Sequence, residues 1–253
     1  MFELFNTDFL SSAYYYSEQG PVIHGNIIYW IIIIGSMIVS WLVSNRMESR
    51  FRQFSQEPIP MSGKEIAEKM LRDHHIHDVK VISTSGHLTD HYNPANKTVN
   101  LSESVYHSNS IAAAAVAAHE VGHAVQHAQA YAWLSMRSAL VPIVQFSSNL
   151  VGIVMLIGVI LLAMGSTPWV LGAGIILFAF TTLFAFVTLP VEFNASARAL
   201  QWLERSHVLN YFGHSKAKSA LFWAAMTYVV GALSSLAMLL YYVLMFLGAR
   251  SRD

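Results

Sequence analysis

The residues best suited to chemistry in this 253-residue chain are His119, Glu120 and His123, which form the pattern H-E-x-x-H. Positions four apart lie on one face of a helix, one turn from each other, so both imidazoles can bind one metal ion. The chain has no Cys, so only His and carboxylate side chains can hold a transition metal. We therefore predict one zinc ion per chain, with Glu120 as the general base for a zinc-activated water.

A catalytic zinc ion usually has three protein ligands, so this pattern leaves one ligand to be found. His127 continues the series but lies two turns beyond His119, roughly 12 Å along the helix axis, which is too far for the same ion. Glu192 is the better candidate because two membrane crossings separate it from His123 and would return the chain to the same side. A role as a helix-start carboxylate after Pro190 is compatible with metal binding.

The composition indicates a membrane protein. Hydrophobic residues make up 54% of the chain and charged residues only 12%, whereas soluble domains average roughly 25% charged residues. Four apolar stretches approach or exceed the roughly 20 residues that span a bilayer. Lys+Arg and Asp+Glu balance at 15 each, so nothing indicates a nucleic-acid partner.

Basic residues near the apolar stretches predict the orientation. No Lys or Arg precedes the first stretch, whereas Arg46, Arg50 and Arg52 follow it, so we expect the N-terminus outside and the next region in the cytoplasm. Arg250 and Arg252 would then lie outside, against this rule, which leaves open whether the fourth stretch fully spans. The predicted order is an extracytoplasmic segment 1–24, transmembrane helices at 25–45, 140–165, 169–189 and 221–247, a cytoplasmic catalytic region 46–139, and a cytoplasmic helical segment 190–220 that carries Glu192.

The region 46–139 is the part of the chain with a soluble composition. Ser62 followed three residues later by Glu65 fits a capping box and predicts a helix that ends near His74. Residue preferences predict the remaining elements, which are strands at 79–83 and 98–102, a turn at 93–97 and one long helix from Ile111 to about Arg137.

The H-E-x-x-H pattern is typical of metalloproteases. Peptide hydrolysis at such a site also needs a hydrogen-bond donor for the carbonyl oxygen that becomes negative. The sequence does not single one out. His207, His214, Tyr211 and Tyr228 are candidates that follow Glu192, and His91 and Tyr92 could face the cleft from the turn region before the second strand.

Four segments carry a resemblance to a known family: AAHEVGHAVQHA, LPVEFNASARAL, LTDHYNP and AAMTYVVGALSSL. From about Met61 onward the chain resembles the YugP-type neutral zinc metallopeptidases of bacterial membranes. The resemblance implies a peptidase of the gluzincin type, with zinc on His119, His123 and Glu192 and with Glu120 as the base.

More distantly, the pattern resembles HtpX-type and prenyl-protein proteases, which pair H-E-x-x-H with a Glu in an E-F-x-A segment. Those relatives carry an acidic residue four positions after the Glu. Here that position is Ser196, and Asn194 is the nearby polar group. The groups that orient the ligands are therefore expected to differ from those of the relatives.

We expect a mainly α integral membrane protein with about four transmembrane helices and a small zincin-like α+β catalytic unit on one side. Its expected function is that of a zinc-dependent endopeptidase in a bacterial cell membrane, with the site facing the cytoplasm. The expected partners are the lipid bilayer and a peptide or protein substrate, membrane proteins included. The alternative is a metal-binding membrane scaffold without proteolytic activity, against which the intact Glu120 argues. A transporter would place ionisable residues within the spans, which here are nearly free of them.

Overall fold

The computed structural model describes residues 22–86 and 88–250. Most of the predicted N-terminal segment 1–24 lies outside these residues, so that prediction stays untested. The described elements are α1 (Val22–Phe54), α2 (Gly63–Asp73), β1 (Lys80–Thr84), β2 (His91–Asn93), β3 (Thr98–Ser102), α3 (Glu103–Tyr106), α4 (Ile111–Ala128), α5 (Ala132–Ala163), α6 (Trp169–Arg205) and α7 (Tyr211–Arg250).

In the described part of the chain, four helices are long and apolar enough to cross a membrane: α1, α5, α6 and α7. α5 and α6 form a hairpin, α6 packs against α7, and α7 packs against α1. The Arg250 guanidinium at the end of α7 lies 5.8 Å from the centroid of the Trp169 ring at the start of α6. The two helices therefore run antiparallel along their whole apolar length. The predicted fold class is confirmed, since the molecule is mainly α with a small sheet.

In the region between α1 and α5, the soluble unit, the helix and strands predicted from local sequence patterns are present, and their ends differ from the predicted ones by about a residue. Ser62 caps α2 through the predicted capping box with Glu65, and α2 has its C-cap at His74. The strand predicted at 98–102 is β3, and the one predicted at 79–83 is β1, which begins one residue later.

The described strands form one sheet in the order β1-β3-β2. β3 is central, parallel to β1 and antiparallel to β2. The sequence did not predict β2, because three residues are too few for a period of two to be recognised. β2 is an edge strand, and it packs beside α4.

A turn interrupts the helix predicted over residues 111–137, so the prediction of one continuous helix is wrong. The φ of Ala130 is +50°, and its N–H donates to the carbonyl of His127. The N–H of Tyr131 donates to the carbonyl of Gln126. These two bonds make a Schellman motif, which glycine usually completes. Because alanine occupies the left-handed position here, the sequence contains no glycine to indicate the end of the helix.

α4 is the central element of the soluble unit. Every residue from 111 to 126 is buried except Val116 and His119, which are half-buried. The far end of α6 is joined to α2 by the indole N–H of Trp202, which donates to Asp73 Oδ2 at 2.9 Å. Burial of each large apolar side chain contributes about 1.5–3 kcal/mol, and the fully buried ones include Ile66, Met70, Val99, Leu101, Val121 and Leu203.

Candidate metal centre

The site forms where α4 crosses α6, and a glycine permits the crossing. A Cβ atom built on Gly122 would lie 2.6 Å from the backbone oxygen of Ala195 and 3.2 Å from its Cα. No side chain fits in that space, so the two helices meet backbone to backbone. His119 and His123 on α4 are thereby brought to the same level as Glu192 on α6.

Three ligand atoms converge at this crossing. Glu192 Oε2 lies 3.3 Å from His119 Nε2 and 3.7 Å from His123 Nε2. All three atoms lie within 4.8 Å of one another, and the Glu192 side chain is only 3% exposed. The structure thus brings together the three residues that the sequence predicted as ligands. Two neutral imidazoles and one carboxylate are a donor set that suits zinc.

Gln126 fixes the orientation of His123. The Gln126 amide nitrogen donates to the Val191 carbonyl at 2.8 Å and to Asn194 Oδ1 at 3.0 Å. Its amide oxygen therefore faces His123 Nδ1, at 3.1 Å. That oxygen can only accept a hydrogen bond, so Nδ1 carries the hydrogen and Nε2 presents its lone pair toward Glu192. This geometry fits a metal ligand. Sequence analysis did not identify Gln126, although it lies within the AAHEVGHAVQHA segment.

The series of hydrogen bonds that begins at His123 and Gln126 continues to the surface. Asn194 Oδ1 accepts a second hydrogen bond, from Arg198 Nε at 2.7 Å. Arg198 also donates to the side-chain oxygen of Gln129 at 2.6 Å. Asn194, which the sequence singled out, therefore acts on the site through Gln126. The hydrogen bond from Arg198 on α6 to Gln129, at the end of α4, links the two helices a second time.

His119 has a different partner on the other side of the crossing. Its Nδ1 lies 3.1 Å from the hydroxyl of Ser196. Ser196 occupies the position at which the distant relatives carry an acidic residue. A hydroxyl can orient the ring as a carboxylate would, but it adds no negative charge to the ligand.

Glu192 has a cationic neighbour that the sequence did not predict. Arg137 Nη1, near the start of α5, lies 3.5 Å from Glu192 Oε1. The other carboxylate oxygen faces the two histidines. Arg137 could not be found from spacing, because its position depends on the turn at Ala130 that separates α4 from α5.

Glu120 lies beside the ligands and is held by the edge strand. Its Oε2 accepts a hydrogen bond from the backbone N–H of Tyr92 at 3.0 Å, and only 8% of the residue is exposed. His119, Glu120 and Glu192 line the same cavity of about 160 Å³. A carboxylate so placed can exchange a proton with a water molecule in that cavity.

The electrostatics of the site favour positive charge at His123. Burial lowers the pKa of His123. The hydrogen bond to Glu192 and the negative charges of Glu120 and Glu192 raise this pKa by more than burial lowers it. The net result is a pKa above the ordinary histidine value. The negative charges of Glu120 and Glu192 that raise this pKa would equally stabilise a divalent metal ion, to which neutral His123 could present its Nε2 lone pair.

The structure distinguishes the other residues considered in the sequence, namely His127 and the candidate hydrogen-bond donors, by whether they line the cavity. His127 Nδ1 lies 2.8 Å from the hydroxyl of Tyr92 and is not part of the ligand cluster. Tyr211 is 84% exposed, and His214 Nε2 lies 3.2 Å from the Leu200 carbonyl. Tyr228 alone among the four donor candidates after Glu192 lines the cavity.

Comparisons with known proteins identify the family of the chain. A family model described as "Putative neutral zinc metallopeptidase" matches residues 29–247. The "Putative membrane protease YugP" of Bacillus subtilis (strain 168) is 38% identical over 224 residues, which cover 88% of this chain and 98% of that protein. No solved structure matches. The chain belongs to the family of neutral zinc metallopeptidases that this model describes.

Proposed function

We propose that this chain is a membrane-embedded, gluzincin-type zinc endopeptidase in which His119, His123 and Glu192 hold one zinc ion and Glu120 is the general base. The convergence of the three ligand atoms within 4.8 Å, in a cavity that Glu120 also lines, carries the proposal. The alternative of a scaffold that only binds metal gives no reason for a buried carboxylate beside the ligands.

When bound, zinc supplies Lewis-acid chemistry: it makes water acidic near neutral pH and polarises a carbonyl group. Glu120 accepts a proton from the attacking water and delivers it to the amine that leaves. The N–H of Tyr92 holds the Glu120 carboxylate in position for both transfers. The products are a carboxylic acid, which then ionises by releasing its proton to water, and a free amine, and Glu120 ends as it began.

Metal analysis with a Glu120→Gln variant tests this proposal. The parent protein is expected to contain one zinc per chain. Because Glu120 is not a ligand, Glu120→Gln is expected to keep the metal and to lose roughly 10²–10⁴-fold in turnover. Parent protein without zinc after supplementation would refute the metal site. Peptide hydrolysis by Glu120→Gln at the parental rate would refute the base.

The third ligand is tested separately. Glu192→Ala is expected to weaken zinc affinity strongly, because it removes the ligand that joins α6 to α4. Glu204→Ala is the matched control, since Glu204 lies on α6 about three turns further and is exposed. Full zinc occupancy of Glu192→Ala in the presence of a competing chelator would contradict the assignment.

The walls of the cavity suggest which substrates it accepts. Apart from the groups that perform the chemistry, its lining is mostly apolar and includes Met47, Phe51, Val116 and Leu221. Two of these side chains, Met47 and Phe51, belong to a helix that can cross the membrane. We therefore propose peptide segments with apolar side chains as substrates, membrane proteins and membrane-proximal segments among them, with the lipid bilayer as the second partner.

The site is proposed to face the cytoplasm of a bacterial cell, because Arg46, Arg50 and Arg52 follow the first span and no basic residue precedes it. The chain has no Cys, so single cysteines can report the topology. In intact cells Asn96→Cys is expected to resist a membrane-impermeant thiol reagent, whereas Asp8→Cys reacts. Equal labelling of the two variants would overturn this orientation.

A further inference from the structure

Each polar side chain that lines the metal cavity, with one exception, already has a role in the site or in the fold. His119 and Glu192 belong to the ligand cluster, and Glu120 is held by the edge strand. The Ser196 hydroxyl is engaged with His119, and Asp90 accepts hydrogen bonds from the backbone N–H and the hydroxyl of Ser102. The remaining polar side chain in the lining is Tyr228.

We propose that Tyr228 is a catalytic residue whose phenol donates a hydrogen bond to the carbonyl oxygen of the scissile peptide as negative charge develops there. The inference rests on the proposed function and names the donor that peptide hydrolysis requires. A phenol suits this role because it is a neutral donor at physiological pH.

Tyr228 reaches the cavity from a direction that the ligands leave open. The ligands lie on α4 and α6, whereas Tyr228 lies on α7. Ala224 and Ala225, which precede it by one helical turn, line the same cavity, so their small side chains let this face of α7 approach the site. The Tyr228 hydroxyl interacts with the Glu192 carboxylate and lies within the electrostatic influence of Glu120. The donor is therefore beside both the ligand and the base.

Packing does not account for Tyr228. The residue is 42% exposed although its hydroxyl points toward buried carboxylates. It also lies in the AAMTYVVGALSSL segment, whose presence the metal ligands and the base leave unexplained. Arg137 is the other donor near Glu192, but it is paired with Glu192 Oε1 and does not line the cavity.

The reaction balances with Tyr228 as a donor only. Water oxygen forms a bond to the carbonyl carbon, and the carbon–nitrogen bond breaks. One proton of the water passes through Glu120 to the departing nitrogen. Tyr228 keeps its own proton throughout, and its hydrogen bond is strongest when the carbonyl oxygen carries the most negative charge.

Tyr228→Phe is the decisive variant, and Tyr211→Phe is its control. Tyr211→Phe removes an equivalent phenolic hydroxyl from another tyrosine of α7, at an exposed position. For the zinc-loaded full chain, Tyr228→Phe is expected to lower kcat by roughly 10²–10³-fold, with KM and zinc affinity as in the parent. Its affinity for a phosphinic peptide, which mimics the tetrahedral carbon, is expected to fall by a similar factor. Tyr211→Phe should match the parent in all four measurements.

The possible failures are distinguishable. If the parent hydrolyses peptides and Tyr228→Phe does so within about threefold of it, Tyr228 is not the donor and the proposed function stands. If Tyr228→Phe loses zinc, the residue acts through the metal site, and the donor role is refuted. If the parent itself neither hydrolyses peptides nor binds the phosphinic peptide, the proposed function fails and this inference fails with it.

Discussion

The two sides of the metal cavity are built in opposite ways. On one side, α4 and α6 meet at Gly122 with backbone contact, and the buried Gln126 links them by hydrogen bonds. On the other side, α1 and α7 present apolar side chains such as Phe51 and Leu221, and little of the apolar length of either helix is buried. The first side, which we call the α4–α6 contact, can fix atomic positions. The second, the α1–α7 wall, offers shape, and apart from Tyr228 its side chains in the lining form no directional bonds.

This difference predicts that the α1–α7 wall tolerates substitutions that the α4–α6 contact does not. Close packing and buried hydrogen bonds have one good arrangement, so small changes there displace ligands. An apolar wall can be repacked by other apolar side chains of similar volume at modest cost. Changes in the α4–α6 contact should therefore affect metal binding, and changes to the apolar side chains of the α1–α7 wall should affect only substrate preference.

The largest effect is expected for Gly122→Ala. The added methyl group would meet the Ala195 backbone oxygen at 2.6 Å, so the helices must separate. We expect a loss of about 1–3 kcal/mol in stability and of at least about tenfold in zinc affinity. Gly152→Ala is the control, because a Cβ there meets nothing within 4 Å. Thermal unfolding and chelator competition measure the two quantities, and parental values for Gly122→Ala would refute the account of the α4–α6 contact.

A more local effect, on zinc affinity without separation of the two helices, is expected for Gln126→Leu, which roughly keeps the volume of the side chain but removes its hydrogen bonds. His123 then loses the acceptor that fixes its tautomer, and the Val191 carbonyl loses its donor. Loss of such an orienting group typically costs about 10–100-fold in metal affinity. The exposed Gln201 provides the control substitution Gln201→Leu. Equal zinc affinities of the two variants would mean that Gln126 does not orient the ligand.

The smallest effect is expected for Phe51→Ala, which shortens the α1–α7 wall. Zinc affinity should not change, because Phe51 touches none of the ligand bonds described above. The KM for peptides with large apolar side chains is expected to rise by roughly tenfold, as for the loss of a few methylene contacts. Phe146→Ala is the control, since Phe146 is 63% exposed on α5. A fall in zinc content of Phe51→Ala would erase the distinction between the two sides.

The sequence predicted the elements that follow from local periodicity and capping. The apolar stretches, the capping box at Ser62 and the strand at 98–102 all depend on neighbouring residues. Glu192 was a long-range prediction, and it was possible because a short turn at 166–168 makes a hairpin with ends at one level.

Long-range geometry without such a constraint was out of reach. Gln126 resembles any polar residue near a helix end until Val191 and Asn194 are known to face it. Arg137 was placed on the same helix as the histidines, because Ala130 gives no sign that the helix ends. Alanine has no intrinsic preference for a left-handed φ, so its presence at this position does not signal the end of a helix.

The α5–α6 hairpin has a consequence for biosynthesis. The two histidines emerge from the ribosome before the hairpin, and Glu192 emerges after it. A nascent chain that ends anywhere between them therefore has an incomplete ligand set. The proposed ligands can meet only after both hairpin helices have been synthesised and packed together, so the metal site would be completed late, after the hairpin has formed.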